Sequence, residues 1–142
     1  MRINGAIKWL VLAALILFAP FGYTYFMMYW SSLSLPVVEY FEPSTGSIAG
    51  ALLIALNTIG VVVLGFLLSI PLHYLFGKKG YLAASFVAVV IVAWNITVWA
   101  LHAPRLPNYI TIIEWVAVLL ILPVIVALNC NYFSAREVAK RA

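Results

Sequence analysis

The sequence contains few charged residues, no aspartate and a single cysteine. Charged residues make up 8% of the 142 residues and hydrophobic residues 66%, whereas about 25% charge is usual for a soluble domain. So few charges cannot cover a water-facing surface. Because Cys130 is the only cysteine, an intramolecular disulfide and a CxxC redox pair are excluded. The composition therefore predicts an integral membrane protein.

The shortage of acids also restricts the chemistry that the chain can support. The acids are Glu39, Glu42, Glu114 and Glu137, which disfavours a two-carboxylate hydrolase or a magnesium-dependent phosphoryl-transfer site. The potential ligands show no zinc spacing, and no glycine-rich phosphate loop follows a strand. His73 and His102 are predicted ~30 Å apart, near opposite membrane faces, so they cannot share one haem. We therefore predict a non-catalytic protein with no metal site and no cofactor.

Four apolar stretches are each long enough to cross a ~30 Å hydrocarbon layer as a helix. They lie at about residues 8–30, 48–76, 81–102 and 109–129. The sequence therefore predicts an all-α fold, a four-helix transmembrane bundle with short loops, in a single domain of residues 1–142. Residues 31–47 contain Pro36, Pro43 and Gly46, which break regular structure, and are predicted to form an interfacial outer loop.

The distribution of positive charge predicts the orientation. With both termini inside, seven of the eight Lys and Arg residues face the cytoplasm, and Arg105 alone faces outward. This asymmetry follows the positive-inside rule. We therefore expect a multi-pass protein that lies in the cell inner membrane, with both termini in the cytoplasm. The positive charge is confined to short loops and tails, so no nucleic-acid partner is expected.

Polar side chains are predicted to gather at one depth within the spans. At 1.5 Å per residue, Asn57, Asn95 and Glu114 lie ~8–13 Å below the outer ends of their helices. Because polar groups in hydrocarbon normally face protein or water, we predict a polar pocket or interhelical cluster. Its members are Tyr23, Asn57, Asn95, His102, Arg105 and Glu114. Two alternatives remain open, namely simple hydrogen-bonded contacts between helices and an interfacial ion pair of Glu114.

Small residues repeat at helical spacing and predict helix-packing faces. Such residues let helix backbones approach closely inside a bilayer. The predicted faces comprise Gly46, Gly50 and Gly60 on the second span and Ser85 and Ala88 on the third.

Three classes of function are compatible with these features. The preferred one is binding another membrane protein within the bilayer, as an accessory subunit, an assembly factor or an immunity-type inhibitor. The alternative is a small transporter or channel that uses Glu114 in an outward-facing polar pocket. A third is an enzyme acting on lipid or quinone headgroups, with His102 and Glu114 as acid and base.

Overall fold

The computed structural model describes residues 5–41, 46–102 and 107–139. Its α-helices are α1 (Gly5–Phe41), α2 (Gly46–Phe76), α3 (Gly80–His102) and α4 (Tyr109–Ala139), and a 3-10 turn at Gly77–Lys79 joins α2 to α3. The elements in these described ranges are all helical, so the all-α prediction is confirmed.

The predicted count of four spanning helices is wrong. Three helical segments are long and apolar enough to cross a membrane, and they are Gly5–Tyr40, Ile48–His102 and Tyr109–Ala139. The second and third predicted spans form one segment of 55 residues, because the turn between them is itself helical. There the N–H of Gly80 donates to the carbonyl of Gly77. Gly77 has a φ of 58°, a value that glycine adopts without steric cost.

The long middle segment folds back on itself at this turn. Gly60 of α2 lies against Trp30 of α1, and further along the chain Gly77 shares a cavity with Lys8. Beyond the turn, the ring of Trp94 contacts Phe21 of α1. The helix α2 therefore runs antiparallel to α1, and α3 runs parallel to α1.

The first helix is longer than the sequence analysis expects. Residues 31–41, predicted as part of a loop, continue α1, which contains both Pro20 and Pro36. Hydroxyl groups accompany the second proline, since Ser32 donates to the carbonyl of Tyr29 and Ser34 to that of Ser31. Neither carbonyl is the one that Pro36 leaves without a backbone donor, which is that of Ser32, and membrane helices tolerate such internal prolines. The position of this part of α1 at the bilayer surface stays a prediction.

The core lies where α2, α3 and α4 pack together, and α1 packs on α2 and α3. Val61, Ile91 and Leu122 are among its fully buried side chains. In the most apolar stretch of 18 residues of each spanning segment, however, only 22% of the stretch is buried inside the protein. So much exposed hydrocarbon needs an apolar surrounding rather than water. With three segments of spanning length, these are the properties of a membrane protein.

Candidate functional site

One hydrogen bond connects α1 to α4 through the interior of the bundle. The hydroxyl of Tyr23 donates to Oε1 of Glu114 over 2.7 Å. The side chain of Tyr23 is buried, and Glu114 is half-buried. A hydrogen bond to a carboxylate is stronger than one between neutral groups, and water does not compete well for it here. The bond therefore directs the side of α1 that carries Tyr23 toward Glu114 of α4.

Asn57 of α2 joins this pair. Asn57 and Glu114 line the same small cavity, whose volume is about 10 Å³, close to the lower limit for one water molecule. Oδ1 of Asn57 is buried and has no hydrogen-bond partner within the described ranges. We call Tyr23, Asn57 and Glu114 the polar cluster. Its side chains come from three helices and provide a carboxyl, an amide and a phenol, but its cavity is too small for an organic substrate.

The other predicted members of the pocket make contacts within their own helix or lie outside the described residues. Nδ2 of Asn95 donates to the carbonyl of Ile91 over 2.8 Å. A ring nitrogen of His102 lies 2.8 Å from the carbonyl of Val98, and this histidine is exposed. Arg105 lies outside the described residues. The structure thus brings together Tyr23, Asn57 and Glu114.

The glycines predicted to form a packing face are occupied inside the molecule. A β-carbon at Gly50 would lie 2.9 Å from the hydroxyl of Tyr109, and one at Gly60 would lie 2.9 Å from the indole ring of Trp30. The same indole donates to the carbonyl of Leu56 over 2.8 Å. Close approach of helices therefore uses these glycines within the chain. Their surfaces are not free for a partner.

The remaining residues of the predicted packing faces are also placed within the chain. Gly46 begins α2. Ala88 is fully buried in the core, and the hydroxyl of Ser85 donates to the carbonyl of Tyr81 in its own helix. Two glycines that were not predicted serve the same purpose, because β-carbons at Gly65 and Gly80 would lie 2.9 Å from Ile125 and Cys130 respectively.

An apolar groove runs along α1 where it meets α2 and α3. We call it the α1 groove; its volume is about 540 Å³. Its lining includes the buried side chains of Val87 and Ile91 and the exposed Phe18 and Gly22. A β-carbon at Gly22 would meet nothing within 4 Å. In contrast to Gly50 and Gly60, Gly22 leaves open space on the exposed side of α1.

A second polar region, which the sequence analysis does not predict, lies at the opposite end of the bundle. Nε2 of His73 on α2 lies 3.4 Å from Oε1 of Glu137 on α4, and the ring of Phe133 packs on that of His73 with centroids 5.4 Å apart. One turn deeper, Asn129 donates to the hydroxyl of Ser69 over 3.0 Å. These contacts join α2 to α4. A usable signal was that Ser69, His73, Asn129 and Glu137 are polar residues at helical spacing near the ends of two apolar runs.

This end of the bundle also carries positive charge. Lys8 of α1 lines a cavity with His73, Gly77 and Glu137, so the start of α1, the turn and the end of α4 lie together. Lys78 and Lys79 follow Gly77 directly and are exposed. We call this the basic end, defined by Lys8, Lys78, Lys79 and Arg136.

Comparison with protein families, curated proteins and solved structures found no match. Among the residues that the structure describes, no three His, Cys, Asp or Glu side chains lie close enough together to hold a metal ion.

Proposed function

We propose that this chain is a non-catalytic membrane protein that binds another membrane protein within the bilayer. The α1 groove would receive one apolar transmembrane helix of that partner. Accessory subunit, assembly factor and immunity-type inhibitor are all roles of this kind. The observation that carries the proposal is the open space at Gly22, beside a groove of about 540 Å³.

The chemistry of the groove supports a helix as its occupant. Its lining side chains are hydrocarbon except for Tyr23, whose hydroxyl is engaged by Glu114, so the groove offers little polar recognition to a small hydrophilic ligand. Helices associate in lipid through close packing at small residues rather than through hydrophobic driving force. Ala14 and Gly22 are exposed at the groove and would allow a second backbone to approach α1.

We also propose that the basic end faces the cytoplasm and that the membrane is the cell inner membrane. Lys8, Lys79 and Arg136 come from three different elements, yet they lie at one end of the bundle. Cytoplasmic regions close to membrane helices are enriched in Lys and Arg. Both ends of the described chain would then be on the cytoplasmic side, and the polar cluster would lie nearer the opposite face.

Site-specific photocross-linking in native membranes tests the partner proposal. A photoreactive phenylalanine analogue at Phe18 should give one discrete adduct with a membrane protein. The same analogue at Leu120, an exposed residue of α4 that does not line the groove, should give only diffuse lipid adducts. Adducts of the same pattern at both positions, or lipid adducts alone at Phe18, would contradict binding of a partner in the groove.

The second candidate function is a small transporter or channel, and the polar cluster favours it. Glu114 has a phenol and an amide for neighbours inside the bundle, an arrangement that proton- or cation-coupled proteins use. Glu114→Gln keeps an oxygen that accepts from Tyr23 but loses the carboxylate. If this class is right, the variant should fold normally and lose ion or proton flux in proteoliposomes. Unchanged flux in the variant, or no flux in the wild type, would contradict the transporter or channel function, and partner binding would remain as the proposal.

A further inference from the structure

Two cavities adjoin at the basic end. One is lined mainly by polar groups and the other partly by hydrocarbon, so together they match the two parts of an amphiphilic molecule. One, of about 420 Å³, is lined by Lys8, His73, Ser134 and Glu137 along with residues of the turn. The other, of about 380 Å³, has Ile70 and Phe133 among its lining residues. His73, Tyr74 and Glu137 line both cavities. The first thus offers charged and hydroxyl groups, and the second adds hydrocarbon walls beside Arg136.

The charges around these cavities favour an anion. Lys8 and Arg136 bring two permanent cations, and Glu137 brings one carboxylate. That carboxylate already has a polar neighbour, since its Oε1 lies 3.4 Å from Nε2 of His73. Nδ1 of His73 is buried and has no hydrogen-bond partner within the described part of the chain. Lys78 and Lys79 on the adjoining turn add to the positive field.

We propose that this pair of cavities binds the phosphate group of an anionic lipid. The phosphate lies where the two cavities meet, between Lys8 of the first cavity and Arg136 of the second, and one acyl chain lies along Ile70 and Phe133. Arg is suited to phosphate because its planar guanidinium donates two parallel hydrogen bonds. Basic pockets between transmembrane helices on the cytoplasmic side are typical sites for such headgroups. The site is separate from the α1 groove, and it does not depend on the proposed protein partner.

A lipid is favoured over a free phosphate ion because of where the cavities lie. Both are built near the ends of α2 and α4, which is the level of the headgroups when the apolar parts of these helices occupy the hydrocarbon. The apolar cavity would add nothing to the binding of an inorganic ion. For a phospholipid it buries part of an acyl chain next to the headgroup.

Native mass spectrometry of the detergent-purified protein tests this site. The protein is offered equal amounts of phosphatidylglycerol and phosphatidylcholine with identical acyl chains, and the retained lipids are counted. Wild type should retain phosphatidylglycerol preferentially. Lys8→Gln and Arg136→Gln should each weaken its retention about fivefold, since one cation near a headgroup contributes ~1 kcal/mol. Lys8 and Arg136 are at least partly exposed, so both variants should fold.

Matched variants distinguish binding at this site from a general electrostatic attraction of anionic lipids to the basic end. Lys79→Gln removes one positive charge from the same end, but Lys79 lines neither cavity, so retention should change less than twofold. Glu137→Gln removes the only acid of the site and should strengthen retention. Equal losses in Lys79→Gln and Arg136→Gln, or equal retention of phosphatidylcholine, would overturn the proposal. Displacement of the lipid by millimolar inorganic phosphate would overturn the assignment to a lipid.

Discussion

Replacing Gly80 with leucine should prevent the chain from folding stably. A β-carbon at this position would lie 2.9 Å from Sγ of Cys130 and 3.1 Å from the carbonyl oxygen of Leu72. The sulfur belongs to a fully buried side chain and the oxygen to a helix backbone, so neither can move aside cheaply. Overpacking a well-packed core costs about 1–3 kcal/mol, and contact with backbone raises that cost. We expect loss of the monodisperse species in detergent and a large fall in Tm.

The matched control for this prediction is Gly22→Leu. A β-carbon at Gly22 meets nothing within 4 Å, and leucine favours helix more than glycine does by roughly 0.5–1 kcal/mol. Its Tm should therefore equal or exceed that of the wild type. If Gly80→Leu and Gly22→Leu unfold at the same temperature, the described contact of Gly80, at the start of α3, with α4 is incorrect.

Replacing Gly22 with tryptophan should abolish partner binding while leaving the fold intact. The indole would occupy the α1 groove, whose exposed rim includes Gly22 and Phe18. A helix that approaches α1 closely cannot share that space, because packing in lipid depends on small residues at the contact. We expect the adduct formed from the photoreactive group at Phe18 to fall at least about tenfold, which corresponds to ~1.4 kcal/mol.

Two further variants show whether this effect belongs to the groove. Gly5→Trp adds the same ring at the start of α1, where a β-carbon also meets nothing within 4 Å, but Gly5 does not line the groove. The adduct should persist in that variant. Gly60→Trp should instead unfold the protein, since Trp30 already occupies the space beside Gly60. Persistence of the adduct in Gly22→Trp would show that the groove is not the contact surface.

The sequence was sufficient to predict that the chain is helical. It was not sufficient to predict the number of spanning segments or the length of the first helix. The all-α class and the approximate apolar runs follow from hydropathy alone, because lipid-facing helices need long stretches without charge. The count of four spanning segments failed because the short loop predicted between residues 76 and 81 contains the 3-10 turn Gly77–Lys79, which keeps helical hydrogen bonding. Residues 31–41 were predicted as loop because proline is a helix breaker in water, whereas α1 retains Pro36 as helices in membranes do.

The level of the polar cluster along the helices could be predicted from the sequence. Which polar side chains meet at that level could not. The helical rise fixes the level of Tyr23, Asn57 and Glu114, whatever the rotation of their helices. It does not fix which side chains face each other, and Asn95 instead bonds to its own helix. The pair of His73 and Glu137 was missed because the two residues are 64 positions apart. Both are polar residues near the ends of apolar runs, but no local pattern in the sequence pairs one with the other.

The start of α1, the turn and the end of α4 should all lie on one face of the membrane, because their residues line adjoining cavities at the basic end. Single cysteines at Lys8, Lys79 and Arg136, in a Cys130→Ala background, can be treated with a membrane-impermeant maleimide in intact cells and in inverted vesicles. All three cysteines should react in inverted vesicles and none in intact cells. Reaction of any one of them from the opposite face to the other two would show that these parts of the chain do not share one face of the membrane.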